Sequence, residues 1–275
     1  MDRREKIRKL IGLLLEEQPE YRQQAAQFPQ DMESQRRLLR SLMNFRYPGK
    51  RLNVEYLHLQ DELLSEERDE KGVVDVMELP SVRVDRRISV WQGDITRLNA
   101  DAIVNAANSQ MLGCFIPCHR CIDNAIHSAA GMQLREACSH IMQEKRMRYG
   151  RQYEEPVGGA VLTKGYNLPC DYVIHTVGPI VYGELTDALR EDLCRCYESV
   201  LHCCVENGIR SVAFCCISTG EFHFPNEEAA EIAVKAVTDF LDTHADAMDR
   251  VIFNVFKDSD REIYEKLVRA FLADM

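Results

Sequence analysis

The sequence predicts a three-layer α/β/α fold with a mixed, mainly parallel central sheet, preceded by a helical extension. Three observations carry this. From about residue 82 onward, short β-branched runs alternate with longer stretches of helical spacing, the pattern of strands joined by helical crossovers. Ser211–Ile217 is almost continuously apolar, as in a strand covered on both faces. Before residue 76 the apolar residues recur only at helical intervals.

In chain order, residues 2–18 place Ile7, Leu10, Ile11 and Leu14 on one helical face. Residues 33–45 repeat the pattern through Leu38, Leu39, Leu42 and Met43, and Pro48-Gly49 stops it. Residues 53–67 give a third helix through Val54, Leu57, Leu59, Leu63 and Leu64, and the charges from Glu66 to Lys71 read as an exposed turn. Residues 1–75 are therefore assigned to the helical extension and residues 76–275 to the α/β unit. Strands are expected around Val84, Ile88 and Val90, then at 102–104, 157–163, 172–177, 211–217 and 251–256. Helices fit between and after them at 122–146, 186–207, 226–245 and 259–273. The sequence shows no internal repeat and no low-complexity segment.

The chain of 275 residues carries a formal net charge of −10, which argues against non-specific nucleic-acid binding. A small anionic ligand stays open, because helix N-termini reverse the field locally. Eleven cysteines in a chain this long point to a reducing compartment rather than a disulfide scaffold. Met1–Leu10 is charged and lacks the apolar stretch of a signal peptide. The apolar runs are too short to span a bilayer. The expectation is a cytoplasmic protein with no membrane or nucleic-acid partner.

The most informative segment is Cys114-Phe115-Ile116-Pro117-Cys118-His119-Arg120-Cys121. Three thiols and an imidazole in one short loop select a soft metal, zinc above all. The loop separates a polar turn carrying Asn105 and Asn108 from a helix opening with Asp123 and Asn124, and strand-to-helix turns are where α/β proteins place their chemistry. Three further turns matter. Asp94, beside Gly93, can accept from an exocyclic amino group or cap its own turn. Asn105 and Asn108, three residues apart, can bind sugar hydroxyls or stabilise Asx turns. Ser218-Thr219-Gly220-Glu221-Phe222-His223-Phe224-Pro225 leaves the buried strand and leads into a helix. Its backbone N–H groups can hold a diphosphate while Phe222 and Phe224 cover a ribose, or it is an ordinary connection with two aromatics in the core. His127 and His175 read as satisfied core histidines.

Gly93-Asp94-Ile95-Thr96, Asp101–Asn108, Ile122–His127 and Ile217–Gly220 together resemble the macrodomain pattern in order and spacing, over about residues 85–275. Macrodomains bind ADP-ribose. Most hydrolytic members join the Asn turn to the Asp helix by a run of glycines. Cys114–Cys121 stands there instead, which resembles the zinc-dependent microbial branch, as does the helical extension. The resemblance implies zinc (Zn2+) held by Cys114, His119 and Cys121. It also implies Asp94 and Ile95 at adenine, Ser218, Thr219, Gly220, Glu221, Phe222 and Phe224 at the diphosphate and distal ribose, and Asn108 near that ribose. Three protein ligands leave a fourth position open, the mark of a catalytic zinc. Cys118, adjacent to His119, reads as a bystander because neighbouring residues rarely reach one ion together.

The implied activity is removal of mono-ADP-ribose from Asp or Glu side chains of modified proteins, with Asp123 orienting or deprotonating water and Asn108 fixing the ribose. Asp123 also reads as a helix N-cap, a compatible role. Relatives in this branch often accompany a sirtuin-type transferase and a lipoyl carrier protein, so a lipoyl carrier modified by such a transferase is the partner the resemblance suggests. The rival is a reader that binds ADP-ribose without cleaving it, its zinc merely structural.

Overall fold

The computed structural model describes residues 1–83 and 85–271. The strand expected around Val84 and the helix end expected at 272–273 fall partly outside those residues.

Helix α1 (Arg3–Glu17) starts on a capping box. Asp2 accepts from the Glu5 N–H at 2.8 Å, and Glu5 accepts from the Asp2 N–H at 3.2 Å. A single turn, α2 (Arg22–Ala25), leads to α3 (Met32–Phe45), capped by Asp31, and α4 (Val54–Lys71), capped by Asn53. Ile7, Leu10 and Leu14 of α1 meet Leu38, Leu39 and Leu42 of α3 and Leu59 and Leu63 of α4 in one apolar cluster, which Met132 joins. Each such side chain contributes about 1.5–3 kcal/mol by leaving water. The charged run Glu66–Lys71 is not a turn. It forms the last turns of α4, held there by ion pairs from Arg3 to Glu70, Lys6 to Glu66 and Arg36 to Glu67.

The remaining strands are β1 (Val74–Asp75), β2 (Ile88–Gln92), β3 (Leu98–Asn99), β4 (Ala102–Ala107), β5 (Val161–Lys164), β6 (Tyr172–Val177), β7 (Ser211–Phe214) and β8 (Arg250–Val255). β1 and β3 form a short parallel pair. The other six make one sheet in the order β2-β8-β7-β4-β6-β5, parallel throughout except for β5, which runs antiparallel on the edge beside β6. Helices α5 (Ile122–Ala130) and α6 (Met132–Tyr149) pack against β4 and β5 respectively. α7 (Asp187–Glu206), α8 (Asn226–Thr243) and α9 (Asp258–Phe271) pack side by side. The result is the expected three-layer α/β/α arrangement.

Three departures from the sequence reading have local causes. The helix expected over 122–146 is two helices, broken at Gly131. Its φ is +97°, and a Cβ there would lie 2.6 Å from the Gln60 amide nitrogen. The strand expected at 157–163 begins only at Val161, because Gly158 has φ +86°. The strand expected at 211–217 stops at Phe214. Beyond it the chain turns, with Ser218 at φ +65° and the Thr219 hydroxyl donating to the Cys216 carbonyl at 3.0 Å.

After β4 the chain crosses to β5 and β6 on one side, whereas β7 and β8 lie on the other. This reversal of strand order falls between β4 and β7, and open α/β sheets bind ligands in the crevice outside the carboxyl ends of the strands at such a point.

Candidate active site

The turn after β4, the cysteine loop and the N-terminus of α5 converge at that crevice. The ligand atoms of Cys114, His119 and Cys121 all lie within 4.8 Å of one another. The chemistry of this set suits zinc. Two thiols and an imidazole are its preferred donors, and His119 Nδ1 is buried without a hydrogen-bond partner among the described residues. Burial pushes the Cys121 thiol up to about 12, so it keeps its proton unless a cation replaces it. Cys118 lies outside the set. Its positive φ of 52° turns it toward α3, where its sulfur sits 3.4 Å from Ser41 Oγ and 3.5 Å from the Arg37 carbonyl oxygen.

Cys121, not Asp123, is the N-cap of α5: its sulfur accepts from the Asn124 N–H at 3.3 Å. Asp123 is the second residue of the helix and is buried. Burial raises its carboxyl to about 6, against the opposing pull of the Asn105 hydrogen bond and the Arg135 charge. Asn105 Nδ2 donates to Asp123 Oδ1 at 2.8 Å and lies 3.1 Å from His175 Nδ1. With one amide hydrogen on each, His175 Nδ1 is bare and Nε2 carries the ring proton, donated to Thr163 Oγ1 at 2.9 Å. Burial lowers His175 to about 4, so the ring is neutral. A chain of polar groups therefore crosses the sheet from β5 through β6 and β4 to Asp123.

The other expected residues divide. Asp94 caps a short turn, accepting from the Thr96 N–H at 3.0 Å and the Thr96 hydroxyl at 2.6 Å, and its second oxygen lies 3.8 Å from Lys71 Nζ. Asn108 makes an Asx turn, accepting from the Gln110 N–H at 3.0 Å, and its amide donates to the Gly113 carbonyl at 3.3 Å. Glu221 connects two loops: its Oε1 lies 3.7 Å from His119 Nε2. Ser218 is buried with a hydroxyl that has no partner among the described residues, Thr219 and Phe222 are half-buried, and Gly220 is exposed. Ile95 is buried at 1% exposure and Asn105 at 0%. The side-chain amide of Asn105 is engaged by Asp123. Phe224, 1% exposed, sits within the main apolar cluster.

Comparison with known proteins agrees with this architecture. The Macro domain model matches residues 104–233. A protein of Treponema medium named protein-ADP-ribose hydrolase is 49% identical over 261 residues, covering 94% of this chain and 96% of that one. A Staphylococcus aureus protein of the same name is 45% identical over 239 residues, 86% of each chain. The chain belongs to the macrodomain family. Among solved structures, the Trypanosoma brucei macrodomain in complex with ADP-ribose is similar, with TM-score 0.63 and 33% identity over 80% of this chain and 92% of that one.

Several residues that build this macrodomain site escaped the sequence reading. Asn124 is a junction: its Oδ1 accepts from Arg40 and Ser128, and its Nδ2 donates to the Ile116 carbonyl at 2.9 Å. His127, expected to be a satisfied core histidine, has neither ring nitrogen bonded among the described residues, and its Nε2 is 3.5 Å from Asp123 Oδ1. Arg135 is buried behind the loop and donates to five carbonyls. Its position among Leu134, Cys138 and Met142 on the buried face of α6 is the signal that could have found it: a guanidinium on an apolar stripe needs a full set of acceptors.

Proposed function

We propose that this macrodomain is a protein-ADP-ribose hydrolase that frees mono-ADP-ribose from Asp and Glu side chains of modified proteins and depends on zinc. One observation carries the reading. Three zinc-preferring donors within 4.8 Å of one another stand immediately before the helix whose second residue is the buried Asp123. Cys114, His119 and Cys121 would hold the ion. When bound, zinc supplies Lewis-acid polarisation and lowers the pKa of a bound water from about 16 to about 7.

The chain's own residues do the rest. Asp94 and the turn it caps receive adenine, and the 218–222 loop, reaching His119 through Glu221, receives the diphosphate and distal ribose. Asn108 orients that ribose. Asp123 takes or positions the proton of the attacking water. Asn105 holds its carboxylate in place, and the His175–Thr163 pair fixes Asn105 in turn. Water adds across the carboxyl–ribose ester, releasing the free carboxylate and ADP-ribose. The names of relatives at 49% and 45% identity support the activity. A lipoyl carrier protein modified by a sirtuin-type transferase remains the substrate suggested by the resemblance.

The test is a peptide mono-ADP-ribosylated on a glutamate, incubated with the protein, with protein treated with chelator, and with chelated protein given zinc back. Turnover lost with chelator and restored by zinc is expected. Binding of ADP-ribose without cleavage under zinc-replete conditions makes the protein a reader instead.

A further inference from the structure

We infer that the protein carries a second anion site, separate from the crevice, that takes a dianionic phosphate in the cleft between the N-terminal helices and α5. A cavity of about 130 Å³ lies there, bounded by α3 and α4 on one side and by Ala125, Ser128 and Ala129 of α5 on the other. It meets the proposed adenine position along one side, at Asp94, Thr96 and Arg97.

Its charge runs against that of the molecule. The whole chain carries −10, yet five cationic side chains and only two carboxylates line this cavity. Both carboxylates are already engaged. Glu67 receives a two-pronged contact from Arg36, at 2.6 Å and 2.9 Å. Asp94 accepts twice from Thr96 and lies 3.8 Å from Lys71. Arg40 and Arg97 have no ion pair among the described residues. Arg40 reaches only the neutral Asn124 amide oxygen, at 2.8 Å, and Arg97 only the Gly72 carbonyl, at 2.8 Å. Arg68 adds a third guanidinium, whose Nε pairs with Asp69 at 3.0 Å and whose Nη1 is 3.4 Å from the Asn167 carbonyl oxygen.

Half-buried guanidiniums such as those of Arg40 and Arg97, which face the cavity and pair with no carboxylate among the described residues, keep donors and charge unmatched. A phosphate answers both needs, since its oxygens accept from planar donor forks and its charge is doubly negative. The size agrees: at about 30 Å³ per water, the cavity has room for a phosphate group in place of a few waters. The shared chemistry is a phosphate dianion, either free or as the end group of a small phosphomonoester.

The experiment titrates the full-length protein, saturated with ADP-ribose so that the crevice is filled, with inorganic phosphate in one arm and glycerol 3-phosphate in the other. Ionic strength is held constant and binding is read by calorimetry. Saturable binding that survives ADP-ribose is expected. Arg97→Gln and Lys71→Gln should each weaken it about tenfold, roughly the 1.4 kcal/mol of one partly exposed charged contact. Lys71 is exposed at the end of α4, so its variant keeps the fold, and far-UV circular dichroism checks both. Tighter binding in the phosphate arm identifies the free ion as the ligand, and tighter binding in the other arm identifies the phosphomonoester. No saturable binding in either arm overturns the inference. So does phosphate displaced by ADP-ribose, or affinity unchanged in both variants.

Discussion

Arg135→Met tests whether the loop carrying Cys114, His119 and Cys121 is held from behind by one side chain. Arg135 is 3% exposed, and burial lowers its guanidinium to about 10. Its Nε donates to Leu112 O at 2.7 Å and Nη2 to Cys114 O at 3.1 Å. Nη1 faces Met43 O, Asn44 O and Arg46 O at 3.2, 2.8 and 3.0 Å. The last three lie at the C-terminal end of α3, where helix carbonyls have no intrahelical donor. The guanidinium also stacks 4.1 Å over the Phe115 ring. Methionine fills much of the volume but donates nothing. A buried carbonyl left unpaired costs about 1–3 kcal/mol, and some of the five will find water or shift, so a total loss of about 3–5 kcal/mol is expected. At about 2–4 °C per kcal/mol for a chain of this size, the melting temperature should fall by about 6–20 °C. Thermal unfolding followed by circular dichroism measures it, and alkylation of Cys114 and Cys121 should quicken as the loop loosens. Arg135→Lys should recover only part of the loss, because an ammonium cannot serve acceptors spread around a planar fork. If Arg135→Met melts within about 2 °C of the wild type, the five carbonyls are not held by this group and the clamp is wrong.

Asp123→Ala should lower hydrolysis of a glutamate-linked substrate by about 10²–10⁴-fold while ADP-ribose affinity, measured by calorimetry, changes much less; equal loss of both would make Asp123 a binding residue. His119→Ala should strip the metal, read by elemental analysis of protein prepared without added zinc, whereas Cys118→Ser should keep about one zinc per chain; the reverse pattern means the donor set is misassigned. Gly178→Ala should weaken ADP-ribose binding, because its Cβ would collide with Ser218 Oγ and displace the 218–222 loop. Unchanged affinity in that variant would separate Ser218 from the ligand.

The sequence declares the sheet and the donor loop well because both rest on local signals. A run such as Ser211–Phe214 is apolar on both faces, and three cysteines and a histidine within eight residues need no tertiary information. It declares side-chain direction poorly. Asn105 and Asn108 look alike in a turn, yet Asn105 is the fourth residue of β4, pointing inward to Asp123, and Asn108 lies past the strand end. Phe222 and Phe224 are likewise alternate residues of one loop, and only Phe224 enters the core. The break at Gly131 was hidden because helical spacing continues across it. What forbids continuity is a distant side chain, Gln60, whose Oε1 accepts the Met132 N–H at 2.9 Å.

The N-terminal helices belong to the physical account of the site for the same reason. A loop with eight side chains in place of glycines has to be supported along its length, since its backbone polar groups leave water without the ladder of a strand or helix. α3 supplies that support. Asn44 Oδ1 accepts the Cys118 N–H at 2.9 Å, where φ is positive and strained for a residue with a Cβ. Arg40 holds Asn124, which in turn holds the Ile116 carbonyl. Arg135 then joins the end of α3 to Leu112 and Cys114. Cys114 and Cys118 are thus tied to α3 through separate partners, while Cys121 and His119 are placed by the start of α5 and the turn before it. The geometry of the three donors is therefore shared between the sheet that carries α5 and the helices that lie behind it. Loosening either side should spread the three donors, and weaken any zinc they hold, before it unfolds the sheet.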